Sequence, residues 1–211
     1  MDRLFNNPTN MTTTPPPTIA FIDLETSGLS AAKHAPLSVA VTILGGPKHD
    51  ATYTSTLRPH PWQEIDQRAL DVNGFDRDDL ASHRDQKVVA LELKDFLYEA
   101  FPDGQLVTAG GYNYKFDEAF LRAWLTSSIS AAFYGNTFST NYVEVMLYIK
   151  TTWPNWKSEF PSMKQVDQYL HHFGEPLLKA HSAEADVAAT KRLFLWADKH
   201  SANPLYTDYH E

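Results

Sequence analysis

The sequence contains no cysteine among its 211 residues. A disulfide scaffold and a thiolate metal site are therefore excluded. The chain suits a reducing compartment, and the cytoplasm is its expected location. Long apolar runs are missing as well: none approaches the roughly 20 residues that span a bilayer, so no membrane association is expected. Positive charge is scarce, with 18 Lys and Arg against 26 Asp and Glu, a formal net charge of −8. That balance argues against broad electrostatic capture of nucleic acid, which needs a basic face. It leaves room for a site where bound cations supply the positive charge. The first 17 residues lack the apolar core of a secretory signal and read as a disordered leader closed by Pro15-Pro16-Pro17. Residues 201–211 read as a C-terminal tail.

Apolar material is plentiful: 43% of residues are hydrophobic and 13% aromatic, enough for one sizeable core. No repeat or linker interrupts 18–200, which is read as a single domain. The spacing predicts strands over 18–24, 36–44 and 51–57, a short strand over 105–109, and helices over 85–100, 116–125, 142–150, 161–171 and 183–199. A strand meander followed by helices, a further strand and more helices indicates a mixed α/β domain.

Acids sit at telling places in this pattern. "TIAFIDLETSGLS" runs apolar up to Asp23, and Glu25 follows two positions later. Side chains at i and i+2 of a strand share a face, so the two carboxylates aim at one point. Like charges held together repel unless a cation lies between them, and oxygen-only ligation favours Mg²⁺ or Mn²⁺. "GGYNYKFDEAFLRAW" places Asn113, Phe116 and Asp117 as N-x-x-F-D at a helix start. "AHSAEADVAATKRLF" places His181 and Asp186 as H-x-A-x-x-D, with Ser182 positioned to cap a helix whose alanines permit close packing. Taken singly, each pattern also fits ordinary capping or core packing.

In combination and in this order the three patterns resemble the motif set of the DEDDh, or DnaQ-like, 3′–5′ exonucleases. "ALDVNGFDRDDL" is similar to that family's helical insert between the first two motifs. The position that would hold Tyr in the related Tyr subtype is Ser182, so the His form fits. The resemblance implies an RNase H-like fold, a mixed five-stranded sheet flanked by helices. It implies a catalytic group of Asp23, Glu25, Asp117, Asp186 and His181. The four acids would hold two divalent ions, Mg²⁺ or Mn²⁺, about 4 Å apart. His181 would act as general base, since imidazole titrates near neutral pH. The substrate would be a nucleic acid 3′ end, single-stranded DNA being favoured over RNA, and the product a nucleoside 5′-monophosphate. The backbone after the acidic pair would contact the terminal 3′-hydroxyl, which makes Thr26 and Ser27 candidates. Leu29 would wedge against the last base, Phe116 would stack on it or pack beneath it, and Asn113 would orient the second motif. A polymerase partner would have to be another chain. Where family members often carry Asp in the region of "NYVEVMLYIK", this sequence has Glu144. Two other readings remain open, an RNA-trimming enzyme and a non-catalytic nucleic-acid-binding module.

Residues outside the motifs could add contacts. Lys115, Arg122, Lys179, Lys191 and Arg192 lie near them in sequence and could supply positive charge, and Trp153 and Trp156 could stack unpaired bases. The adjacent His171 and His172 do not face one point on a helix and are not read as a metal site.

Overall fold

The computed structural model describes residues 17–160 and 162–206. The expected leader, apart from Pro17, and the last five residues of the expected tail lie outside this range. Five strands run in chain order: β1 (Ile19–Thr26), β2 (Pro36–Leu44), β3 (Thr52–Thr56), β4 (Val107–Gly111) and β5 (Phe138–Glu144). The helices are α1 (Gln67–Asn73), α2 (Gln86–Ala100), α3 (Tyr114–Ser128), α4 (Ala131–Thr137), α5 (Val145–Thr152), α6 (Trp156–Glu159), α7 (Gln165–Phe173) and α8 (Ala183–Lys199), with a 3-10 turn at Asp79–Ser82. The sheet order is β3-β2-β1-β4-β5. β1 pairs antiparallel with β2 and parallel with β4, and β4 and β5 are also parallel. This is the mixed five-stranded α/β architecture that the resemblance implied.

β1 reads as a continuous apolar run because helices cover both of its faces. Ala20, Ile22 and Leu24 face a core completed by α2, α3 and α4. Ile19 and Phe21 face a second core completed by α5 and α8. Gly110 leaves space for Phe21, whose ring would lie 2.8 Å from any Cβ at that position. Alternation then fixes the acids: Asp23 and Glu25 share the parity of Ile19 and Phe21, hence the α8 face. Both acids lie inside β1, opposite Ala40 and Ser38 of β2.

Residues 142–150 are not one helix. Tyr142, Val143 and Glu144 belong to an edge strand, and the helix starts at Val145. β5 is exposed along much of its length, so it lacks the alternation that would mark it in the sequence, and only pairing with β4 defines it. The described part of the expected tail also differs. Tyr206 is 4% exposed and packs into the second core, because Leu205 and Tyr206 donate their N–H groups to Asp198. No helix among the described residues is long and apolar enough to cross a membrane.

Candidate active site

β1 presents Asp23 and Glu25 towards the start of α8, which packs on β1 and β2. Ala183 and Ala189 are buried there, and their small size lets α8 approach the sheet closely. This brings Asp186, in the first turn of α8, onto the acids of β1: one carboxylate oxygen each from Asp23, Glu25 and Asp186 lies within 4.8 Å of the others. Asp117 arrives from the opposite side. The β1–β4 pairing runs only through Ala20 and Phe21, and β4 ends at Gly111. The N–H of Leu24, beyond that pairing, donates to Asp117 Oδ1 at 3.0 Å. Asp117 stands outside the close triad but next to Asp23, whose ionisation it opposes.

The electrostatics are those of a site suited to cations. Burial, then Asp117, Asp186 and Glu25 in that order, push Asp23 well above the usual carboxylate range. Burial and then Asp186 push Glu25 up to about 7. Burial also holds Asp117 well above its ordinary value despite the Leu24 N–H, and raises Asp186 against the opposing pull of His181. Glu25, Asp117 and Asp186 are 9%, 4% and 8% exposed. Buried carboxylates with so few donors among them fit divalent cations: the donor set is all oxygen, anionic and clustered.

His181 is exposed and takes a left-handed backbone with φ 67°, uncommon for a residue with a Cβ. The conformation turns its N–H back to Asp186 Oδ2 at 3.0 Å. Ser182 does occupy the N-cap position of α8, but its side chain makes no capping bond. Asn113 likewise has φ 63° and no side-chain capping bond. The start of α3 is held instead by Glu144, whose Oε1 and Oε2 accept the N–H groups of Asn113 and Tyr114 at 2.8 Å each. Glu144 Oε1 also accepts Met146 N–H at 3.3 Å, so one carboxylate ties the end of β5 to two helix starts. It therefore positions Asp117, a role the sequence reading missed by placing Glu144 inside a helix. The only signal was an acid where a strand could end and a helix begin.

The loop after β1 divides the remaining candidates. Ser27 is fully buried: its hydroxyl donates to Glu64 O and accepts from Ala35 N–H, and its own N–H donates to Ala35 O. Its side chain braces the turn from beneath and fixes the backbone that follows the acidic pair. Gly28 is required above it, since a Cβ there would lie 2.2 Å from the His34 ring. Thr26, Leu29 and Phe116 line a groove of about 400 Å³ with Leu24, Ala69 and Val72, and Leu29 is 87% exposed. Phe116 also packs on Phe120, with ring centres 5.1 Å apart. A second cleft of about 380 Å³ contains His181. Glu25 and Asn73 line both clefts, and Asn73 donates to Thr26 O at 2.9 Å. Asn73 had no mark in the sequence.

The cations expected near the motifs are largely committed elsewhere. Lys115 and Arg122 both pair with Glu118, Lys191 with Asp50, and Arg192 with Glu175. Trp153 stacks on Trp196 at 4.5 Å between ring centres, so it packs the core edge. Trp156 carries Lys150 over its ring at 4.9 Å.

A family model described as exonuclease matches residues 20–194. The chain belongs to the exonuclease family. Among solved structures, this exonuclease domain is similar to exonuclease I (17% identity, TM-score 0.67), over 86% of this chain and 41% of that one. It is also similar to E. coli exonuclease I in complex with a dT13 oligonucleotide (16% identity, TM-score 0.68), over 85% of this chain and 40% of that one. The zinc-ion-bound form of an E. coli exonuclease I–ssDNA complex matches at 17% identity and a TM-score of 0.68, over 84% of this chain and 39% of that one. The exonuclease domain thus spans about two fifths of the length of these proteins. No curated protein matches the chain.

Proposed function

We propose that the exonuclease domain removes nucleotides one at a time from the 3′ end of single-stranded DNA in the cytoplasm, releasing nucleoside 5′-monophosphates. Asp23, Glu25, Asp117 and Asp186 would hold two Mg²⁺ or Mn²⁺ ions. The observation that carries this reading is the triad of carboxylates within 4.8 Å at the end of two open clefts. When bound, the ions would neutralise phosphate charge and supply Lewis acidity. His181, exposed beside Asp186, takes the proton of the attacking water on an imidazole nitrogen. Leu24, Leu29, Val72 and Phe116 offer the last base an apolar groove, and Thr26 beside Glu25 faces the terminal hydroxyl. Asn113 and Glu144 keep Asp117 in place. Similarity to proteins solved with DNA oligonucleotides supports DNA as substrate. A polymerase on another chain would be one source of such ends.

The test is a product analysis. A 5′-labelled single strand should shorten progressively with Mg²⁺ or Mn²⁺, and a 3′-phosphate should block it. RNA and duplex DNA of the same sequence should be degraded more slowly. Cuts within a circular single strand, or no metal-dependent hydrolysis, would overturn the reading.

A further inference from the structure

The cleft containing His181 continues past the acids towards the edge of the sheet. Its floor is set by register. Glu25 lies opposite Ser38, and Ser38 opposite Thr56; Asp23 lies opposite Ala40, and Ala40 opposite Thr54. Directly paired residues share a sheet face, so these two rows run from the acids across β2 to β3. α8 covers Ala40 and Leu44 on this face but leaves Thr54 and Thr56 exposed. The trough is two strand spacings long, roughly 10 Å. Its lining includes Ser38, Thr54, Thr56 and Ser182, with Phe75 at one wall. Among the described residues no Lys or Arg lines it, and Glu184 is its one acid besides Glu25.

We infer that this hydroxyl-lined trough over β2 and β3 holds the sugar–phosphate backbone of the strand upstream of the scissile bond. The inference rests on the exonuclease reading and adds a path for the strand. Both clefts meet at Glu25 and Asn73, so a strand whose last base fills the apolar groove crosses the acids and leaves by the trough. Threonine and serine hydroxyls donate to phosphate oxygens, and the Phe75 ring, tilted edge-on to His83 at 5.4 Å, offers a face to a base. Neutral donors in place of cations also suit a chain of net charge −8.

The experiment compares Mn²⁺-dependent hydrolysis of dT2 and dT8 by the wild type and by a Thr54→Val/Thr56→Val double variant. Valine keeps the shape and the strand preference of threonine, so β3 is retained. dT2 has only the scissile phosphate and cannot use the trough. In the wild type, KM for dT8 should be well below that for dT2. In the variant, KM for dT8 should rise about tenfold, with kcat and the dT2 constants unchanged. The dT8 advantage should also weaken little between low and moderate NaCl, because no lysine or arginine releases counterions there. An unchanged KM for dT8 in the variant, an equal loss on dT2, or a steep salt dependence would overturn the inference while leaving the exonuclease reading intact. No hydrolysis of either oligonucleotide by the wild type would overturn both.

Discussion

The two ends of α8 each bury an aspartate, and they treat it in opposite ways. Asp198, near the C-terminal end, is fully buried and surrounded by donors: the Tyr148 hydroxyl and the N–H groups of Leu205 and Tyr206, the latter two at 2.7 Å. Asp186, near the N-terminal end, is 8% exposed and has one backbone donor, while Asp23 and Glu25 face it. Burial of a carboxylate is costly unless donors or cations meet its charge. At Asp198 the protein meets that charge itself and gains a docked chain segment. At Asp186 it leaves the charge unmet, and burial beside other acids raises the carboxyls, an environment that suits a cation. Burial of an acid is thus no sign of function; the supply of donors around it is.

Breaking the unmet end should have the largest effect. Asp23→Ala and Asp117→Ala should each lower hydrolysis by at least about 10³-fold, as expected for loss of an ion-holding group. The metal-free Tm of Asp23→Ala should hold or rise, because one acid of the repelling cluster is gone, whereas Asp117→Ala also strips the Leu24 N–H of its acceptor. Stabilisation by Mn²⁺ should shrink, since only the folded site binds it. Full activity in either variant would remove the acids from the mechanism. His181→Ala separates base from ligand. Turnover should fall about 10² to 10⁴-fold with Mn²⁺ binding retained in calorimetric titration. Loss of Mn²⁺ binding would make His181 a ligand.

At the satisfied end the expected damage is to stability. Asp198→Ala should cost about 3 kcal/mol in denaturant unfolding, because buried donors lose their acceptor. Activity per folded molecule should be unchanged, and a selective loss of activity would erase the contrast between the two ends.

The pH dependence sharpens the comparison further. Glu25 is pushed up to about 7 when folded, against an ordinary value of 4.5. The folded protein therefore holds this proton more tightly than the unfolded chain across that window, and metal-free stability should fall as pH rises from 4.5 to 7. The total change is on the order of 3 kcal/mol, shared among coupled acids. Added Mg²⁺ should remove most of the slope. A metal-free stability that rises over this window would contradict the unmet-charge account. The smallest effect is expected at Glu144→Gln, which keeps one acceptor oxygen of two. It should reduce kcat by up to about tenfold with KM nearly constant, and Glu144→Asp should recover part of the loss.

The sequence by itself determined much of this protein. The apolar run and the i, i+2 spacing put Asp23 and Glu25 on one face, because strand periodicity is local. The three motifs identified the family and the mixed sheet. The tertiary structure decided the rest, because these features depend on partners far along the chain. Asp117 reaches Leu24 across 93 positions, and Glu144 caps Asn113 across 31. β5 is a strand only through its pairing with β4, and the Ser27 side chain is tied beneath the turn by bonds to Ala35 and Glu64. Lys115, Arg122, Lys191 and Arg192 near the motifs were drawn into ion pairs with Glu118, Asp50 and Glu175. Local spacing fixes which way a side chain points; which donor or acid it meets is set by long-range packing, and that meeting distinguishes Asp186 from Asp198 on one helix.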